Sequence, residues 1–273
     1  MHSGFTRLIA ALSGLAVAPA FAIFQNGGFE NGNLTGWTSG ASLNNAGGLI
    51  LPQPFTGASI NLAAGGTYRG AVVGAGPDLM GAPITLPRAG SFTARVNNNA
   101  SNYVANSISQ SDVVTAADRD AVDNLLHIRF NYSVVLENPT HTSQEQPFFY
   151  LRIRNTTKNT VLLEDFSFAG QTGTQFLPVP SASGWLYLDW KTADVVVPNA
   201  DLGDTIEVYL LAAGCSRGGH GGYAYLDGFG SAVIVPGPAA TLAVNVPTLS
   251  EWSLIALGLL LLGAAGYGAK RRT

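Results

Sequence analysis

The sequence predicts an all-β protein whose central part is a single antiparallel β-sandwich. Apolar residues recur at every second position in several short runs, of which residues 126–134, 149–154 and 205–210 are the clearest. Such alternation is typical of strands with one face in a core and the other in water. Clusters of Asn and Gly, such as residues 44–48, separate the runs and indicate loops. Only residues 115–124 offer a short helical turn, and the lack of a βαβ rhythm favours a sandwich.

The composition is that of an extracellular β protein. Charged residues make up only 11% of the chain, well below the roughly 25% of an average soluble protein, and 33 glycines favour turns and short strands. The net charge is −3 and no basic stripe is present, which argues against nucleic-acid binding. Cys215 is the only cysteine, so no disulfide forms within the chain and the core alone must stabilise the domain.

The first 22 residues have the three parts of a secretory signal peptide. Arg7 supplies the positive charge, residues 8–17 form the apolar stretch, and residues 20–22 read Ala-Phe-Ala, an A-x-A cleavage site. The alternative is a buried N-terminal helix, which fits poorly because Pro19 falls where such a helix would continue. We therefore predict a signal helix over residues 1–22 and export through the Sec machinery.

The C-terminus predicts a transmembrane helix over residues 252–269, an uncharged apolar run. At 1.5 Å per residue the run spans about 27 Å, which matches a hydrocarbon core. The basic residues 270–272 follow at once, and the positive-inside rule keeps them cytoplasmic and places the rest of the chain outside the inner membrane. A buried core helix is the alternative, but the four glycines of the run would weaken it in water. Residues 236–245 begin Pro-Gly-Pro and are predicted to be a linker.

A short motif precedes and overlaps the start of this run. Its residues, with the basic end, are Val246, Pro247, Thr248, Leu249, Trp252, Lys270, Arg271 and Arg272. The three-part tail resembles the IPTL-CTERM sorting signal, a relative of the PEP-CTERM signals, with Val246 in place of the usual Ile. The resemblance implies that residues 246–273 are recognised by an exosortase-type membrane transpeptidase of a Gram-negative bacterium, and that the protein reaches the cell envelope or surface. It implies nothing about the activity of the β domain.

Two segments predict a more specific fold for residues 23–235. Residues 26–30 read Asn-Gly-Gly-Phe-Glu and residues 223–227 read Tyr-Ala-Tyr-Leu-Asp. They resemble the first and last strands of jelly-roll carbohydrate-binding modules, in which these strands pair and a calcium ion often bridges an early Glu and a late Asp. The resemblance implies a jelly-roll-like sandwich and calcium ligation by Glu30 and Asp227 with backbone carbonyls. The alternative is that both acids are solvated or hydrogen-bond within turns.

A second resemblance covers much of the same domain. Residues 134–141, 145–149 and 215–227 are similar to uncharacterised secreted β domains of bacterial surface proteins, with Asn138 where an Asp is expected. The resemblance implies a β fold and a surface location. It implies no activity.

One aromatic segment predicts a binding surface. Carbohydrate binding uses exposed aromatic rings, and Trp185, Tyr187 and Trp190 lie close together on one predicted strand. In a regular strand Trp185 and Tyr187 share a face and Trp190 lies on the other, so one set is expected in the core. Further polar or aromatic residues that would supplement the surface are Asn97, Asn98, Asn99 and Tyr103.

Other residues have the chemistry of a metal or catalytic site. The set with zinc-ligand types is His141, Glu145, Cys215 and His220, although its spacing matches no standard zinc motif, and such His residues more often hold loops. Cys215 and His220 are also the types of a nucleophile and base, but the sequence shows no cleft and no residue that would orient the base. Glu137 and Glu145 are acids without a glycosidase motif.

Taken together, these observations predict an exported, envelope-sorted surface protein. Its sandwich is interpreted as a non-catalytic binding or matrix module, with extracellular polysaccharide as the expected partner and structural calcium as the expected cofactor. A purely structural surface protein and a secreted hydrolase are the alternatives.

Overall fold

The computed structural model describes residues 23–50 and 53–230, which form two antiparallel sheets packed face to face. The prediction of an all-β antiparallel sandwich is confirmed. The chain divides into units 1–237 and 238–273, and every described residue belongs to the first unit. The predicted signal helix, linker and transmembrane helix lie outside the described residues. Within the described ranges, no helix has the length and apolarity needed to cross a bilayer.

Twelve strands are found among the described residues. In chain order they are β1 (Thr38–Leu43), β2 (Ala63–Ala64), β3 (Ala71–Val73), β4 (Thr93–Val96), β5 (Val104–Val113), β6 (Leu126–Glu137), β7 (Phe148–Asn155), β8 (Thr160–Phe168), β9 (Leu177–Pro178), β10 (Trp185–Val197), β11 (Thr205–Ala213) and β12 (Gly222–Gly230). The first sheet has the order β2-β1-β5-β11-β7-β8 and the second has β3-β4-β12-β6-β10-β9. Three short 3₁₀ turns complete the described secondary structure, at Gly57–Ser59, Ala116–Asp118 and Asn199–Asp201. The second of these lies in the segment for which a helical turn is predicted.

The main core lies between the two sheets. It is built from the inward-facing residues of the alternating runs, among them Phe130 and Val134 of β6, Leu151 of β7 and Leu210 of β11, all without solvent exposure. Removing apolar side chains from water is the dominant favourable term in folding. The apolar residues of the period-two runs thus pack between the two sheets, as predicted.

Parts of the outer faces of both sheets are also covered, contrary to the expectation of one solvent-exposed face. Residues of the 44–62 segment, including Leu49 and Phe55, pack on the outside of the first sheet. Ile84 and Leu86 pack on the outside of the second. Every residue of β12 is consequently buried. Strand alternation reports which residues share a face, but not whether a distant loop covers that face.

The predicted first strand over residues 26–30 is not formed. Phe24, Asn26 and Phe29 have φ values of 70°, 50° and 59°, in the left-handed region that extended strands do not use. The segment is instead a series of turns that contacts the last strand through the hydrogen bond from Phe229 N to Gly27 O (2.9 Å) and the edge-to-face packing of Phe24 on Phe229. β12 pairs with β4 and β6 in the sheet, so the predicted pairing of the N-terminal segment with the last strand is wrong.

Candidate functional site

The aromatic segment of β10 is mostly a structural element. Trp185 and Tyr187 retain only 7% and 8% of their exposure, because they pack with Tyr223 and Tyr225 beneath the loop that covers the second sheet. Their ring faces are therefore not available for flat contact with a sugar.

A β-bulge in β10 changes the direction of Trp190. β10 pairs with β6 up to Leu188, opposite Val134, and resumes at Lys191, opposite Tyr132, so β10 holds one residue more than its partner. Leu188 packs in the core between the sheets, and Lys191 Nζ lies over the Tyr132 ring, 5.8 Å from its centroid. Trp190 consequently packs with the outer cluster that holds Trp185 and Tyr187. The expectation that Trp190 lies on the opposite face is wrong, because a bulge resets the alternation.

A surface groove of about 500 Å³ lies beside this bulge. The short strand β9 pairs only with Leu186 and Tyr187 of β10, and the groove follows β10 beyond that point. Its lining residues are Gln175, Phe176, Leu177, Leu188, Asp189, Trp190 and Lys191. The groove thus combines apolar and aromatic walls with an amide, a carboxylate and an ammonium group.

Trp190 is held in place within this groove. Its indole Nε1 donates a hydrogen bond to Thr85 O (2.8 Å), and its ring packs on Tyr225 at a centroid distance of 6.2 Å. The residue is only partly buried. Trp190 is therefore a fixed aromatic side chain that still presents part of its surface to the groove.

The predicted supplementary residues do not line this groove. Asn97 is buried, and its Nδ2 donates to the backbone oxygens of Val104 and Gly222 at 3.1 and 2.9 Å, so it holds two strands together. Asn98 accepts a hydrogen bond from a nearby backbone amide, Asn99 donates to Met80 Sδ, and Tyr103 is exposed.

The predicted calcium ligands hold one loop from two sides. Glu30 accepts hydrogen bonds from the backbone amides of Ser91 and Phe92, and Asp227 Oδ2 accepts from those of Arg88 and Ala89 at 2.8 and 3.0 Å. Burial raises the pKa of Asp227 to about 7, and the negative charge of Glu30 adds to this rise.

One carboxylate oxygen of the two predicted calcium ligands, Glu30 and Asp227, fits a cation. Asp227 Oδ1 is fully buried and has no hydrogen-bond partner among the described residues. Calcium requires six to eight oxygens, of which Glu30 and Asp227 supply only a part. Calcium binding by these residues stays a prediction.

Three of the four predicted zinc-ligand residues lie together. The metal-ligating atoms of His141, Cys215 and His220 lie within 4.8 Å of one another, and Cys215 Sγ is 3.4 Å from His220 Nδ1. Glu145 does not join them, because Arg217 Nε donates to its carboxylate at 2.8 Å. That hydrogen bond also holds the pKa of Glu145 below its usual range.

The two acids considered for glycoside hydrolysis both contact the loop that carries Cys215 and His220. Glu137 accepts a hydrogen bond from Gly221 N (2.9 Å), and Glu145 is bound to Arg217, so both acids hold residues 214–221. Cys215 is completely buried, so its sulfur is not open to a substrate. These contacts favour a structural role for the two acids over a pair that acts on a glycosidic bond.

Sequence reasoning missed two groups of residues that the structure brings together. Phe176 and Leu177 of the groove precede β10 by several residues, and no motif marks them. Asp78, in the loop over the second sheet, accepts hydrogen bonds from the hydroxyls of Tyr223 and Tyr225. An acid directly before the apolar segment 79–86 was the available signal.

The tail can be identified by comparison with known families. Residues 246–272 match the family model described as the IPTL-CTERM motif. The chain carries an IPTL-CTERM motif. The match lies wholly in the tail and covers no part of the sandwich. No curated protein shows significant sequence similarity to the chain.

Several solved structures resemble the chain in architecture. TmCBM61, solved with β-1,4-galactotriose, is 12% identical, with 76% of this chain and 94% of that chain covered and a TM-score of 0.39. CBM27-1 of Caldicellulosiruptor saccharolyticus, solved with mannohexaose, is 11% identical, with 74% and 93% covered and a TM-score of 0.36. The K2 cleaved adhesin domain of Lys-gingipain is 15% identical, with 71% and 87% covered and a TM-score of 0.33. Because these TM-scores lie below 0.5, neither a ligand nor a residue role is transferred from them.

Proposed function

We propose that the protein is an exported surface protein, sorted to the envelope by its tail, whose sandwich binds an extracellular polysaccharide without catalysis. The IPTL-CTERM motif supports the location. The partly exposed, fixed Trp190 in the groove beside the β10 bulge is the observation that carries the binding function. The signal helix over residues 1–22, the transmembrane helix over residues 252–269 and the jelly-roll-like assignment belong to the same proposal.

The groove has the chemistry that a sugar chain requires. Aromatic rings present a large apolar surface against which the C–H face of a pyranose packs, and Trp190 is the ring available for this contact. Asp189 and Lys191 flank it and supply an acceptor and a donor for hydroxyl groups. The hydrogen bond to Thr85 holds the indole before binding, which reduces the entropy lost on association.

A purely structural surface protein is the second candidate. It is favoured by the loop that covers part of the outer face of the second sheet, since this loop buries Trp185 and Tyr187, two of the three predicted binding aromatics. In that case the tail alone defines where the protein acts.

We expect Trp190→Ala to weaken polysaccharide binding about 10-fold or more, because the variant removes the central apolar contact of the groove. Trp190→Phe keeps an aromatic face and should retain most of the binding. Affinity electrophoresis of the full chain in mild detergent, with neutral and acidic polysaccharides and the producer's own matrix in the gel, measures the retention.

Tyr103→Ala is the matched control, because Tyr103 is an exposed aromatic residue that does not line the groove. It should bind like the wild type. Equal losses of polysaccharide binding in the Trp190 and Tyr103 variants would contradict binding at the groove. Absence of retention of the wild type by every polysaccharide would favour the structural candidate.

We expect replacement of Pro247 and Trp252 by Ala to abolish surface display in a host that carries the sorting enzyme, because both belong to the IPTL-CTERM motif. The unprocessed chain should accumulate in the inner membrane. Labelling of intact cells with an antibody against the sandwich, with membrane fractionation, measures the distribution. Thr241→Ala, outside the motif, is the control and should be displayed normally, whereas unchanged display of the double variant would contradict the sorting role.

A further inference from the structure

We propose that His141, Cys215 and His220 form a binding site for a divalent transition-metal ion of the zinc type. The site lies between the β6–β7 loop, which carries His141, and the β11–β12 loop, which carries the other two residues. None of the three lines the groove beside the β10 bulge, so the site is independent of polysaccharide binding.

The distances suit a shared ion. Zinc binds thiolate at about 2.3 Å and imidazole nitrogen at about 2.0 Å, so tetrahedral geometry separates these ligand atoms by about 3.5 Å. Cys215 Sγ lies 3.4 Å from His220 Nδ1. The rings of His141 and His220 meet edge to face, with centroids 4.9 Å apart, and all three ligand atoms lie within 4.8 Å of one another.

An unpartnered atom points independently to a ligand. His141 Nε2 is buried and has no hydrogen-bond partner among the described residues. Native structures seldom leave a buried polar atom without a partner. A metal ion bound by this nitrogen provides that partner.

Hydrogen bonds hold the backbones of both loops. Gln146 Nε2 donates to Pro139 O (2.8 Å) and His141 O (3.3 Å), which fixes the first loop. In the second loop, Cys215 N donates to His220 O at 3.0 Å, so the two ligand residues are joined through the backbone.

Acids from neighbouring elements hold the same loop. Glu137 accepts from Gly221 N (2.9 Å), and the backbone oxygen of Glu145 accepts from Ser216 N (3.1 Å). These contacts hold the backbone of the loop that carries Cys215 and His220.

The donor set selects the class of metal. A thiolate with two imidazoles suits zinc and its neighbours in the transition series, whereas calcium and magnesium prefer oxygen ligands. The carboxylate of Glu145 is bound to Arg217 and does not complete the shell. Three protein ligands leave a fourth position for water or a small molecule. Binding converts the Cys215 thiol to a thiolate, and its proton passes to solvent.

The experiment uses the full chain in mild detergent, stripped of metal with a chelator and kept reduced. Titration with cobalt(II) should give one equivalent bound per chain and the strong near-ultraviolet absorption of a cobalt thiolate, and zinc should displace the cobalt. The 3.4 Å sulfur–nitrogen distance also fits a hydrogen bond between Cys215 and His220. A hydrogen-bonded pair without a metal site would not bind one equivalent of cobalt per chain.

Matched variants test each ligand. Cys215→Ser should abolish the cobalt–thiolate absorption, and His141→Ala and His220→Ala should each weaken zinc binding roughly 100-fold. Thr140→Ala, at an exposed position of the loop that carries His141 but outside the three ligands, should bind zinc like the wild type. Circular dichroism of the metal-free variants reports whether each is folded.

The wild-type titration is decisive whether or not a variant folds. A wild-type chain that binds neither cobalt nor zinc saturably would overturn the proposal. So would cobalt–thiolate absorption that persists in Cys215→Ser, or displacement of the bound cobalt by calcium.

Discussion

Replacing Asp78 with Ala is expected to lower the free energy of unfolding by about 4 kcal/mol, because it leaves several buried donors without an acceptor. Asp78 is 5% exposed and accepts hydrogen bonds from the hydroxyls of Tyr223 and Tyr225, each at 2.9 Å. It also accepts from the backbone amides of Met80 and Ala82 at 2.9 and 3.0 Å. The carboxylate thus attaches the covering loop to β12.

Burial raises the pKa of both tyrosines, and the nearby charge of Asp78 raises it further, so both hydroxyls stay protonated as donors. Urea unfolding of the full chain, followed by near-ultraviolet circular dichroism, measures the loss. Tyr225→Phe is the comparison, because it removes one donor and leaves Asp78 with its others; it should cost about 1 kcal/mol. A loss for Asp78→Ala no larger than that for Tyr225→Phe would contradict the role assigned to the carboxylate.

The stability of the domain is expected to fall by about 4 kcal/mol as the pH rises from about 4 to about 7, through the single carboxyl of Asp227. Burial raises its pKa from 3.8 to about 7 in the folded state. Well below pH 4 the carboxyl is protonated in both the folded and the unfolded chain, and Asp227 contributes nothing to the pH dependence. Between these values the unfolded chain releases the proton that the folded chain keeps, which favours unfolding. Above pH 7 the loss is complete.

Asp227→Asn should remove this dependence, since the amide does not titrate. The measurement is the difference in unfolding free energy between wild type and variant from pH 4 to pH 8, with chelator present. Calcium should raise the stability of the wild type above pH 7 if Glu30 and Asp227 are its ligands, because the ion favours the carboxylate form. Parallel pH curves for the two proteins in chelator would contradict the assignment of the proton to Asp227.

Local pattern was enough to predict the sandwich but not what covers it. The alternating runs of β6, β7 and β11 identify strands, because period two is set by the backbone of the strand itself. The loop residues Ile84 and Leu86 reach the outer face of the second sheet from a distant part of the chain. Such contacts depend on tertiary structure. They bury Trp185 and Tyr187, which the sequence analysis had named as candidate binding residues.

Backbone irregularities account for the other errors. The bulge in β10 has no Gly or Pro to mark it, so regular alternation placed Trp190 on the wrong face. The turns at Phe24 and Asn26 use left-handed φ angles. The Asn-Gly-Gly of residues 26–28 is a turn signal, but the resemblance to a first strand was given more weight. For the proposed metal site, the residue types suggested four ligands, but Glu145 forms an ion pair with Arg217 and does not join the other three.

The most direct test of polysaccharide binding at the groove is an NMR titration that follows the tryptophan indole N–H signals. The full chain in detergent micelles is titrated with an oligosaccharide prepared from the producer's own matrix, and Trp190→Phe assigns the signal of Trp190. The account predicts that this signal shifts in a saturable manner, whereas those of the buried Trp37 and Trp185 stay in place. Saturable shifts of other signals with Trp190 unmoved, or no shift at any concentration, would contradict it.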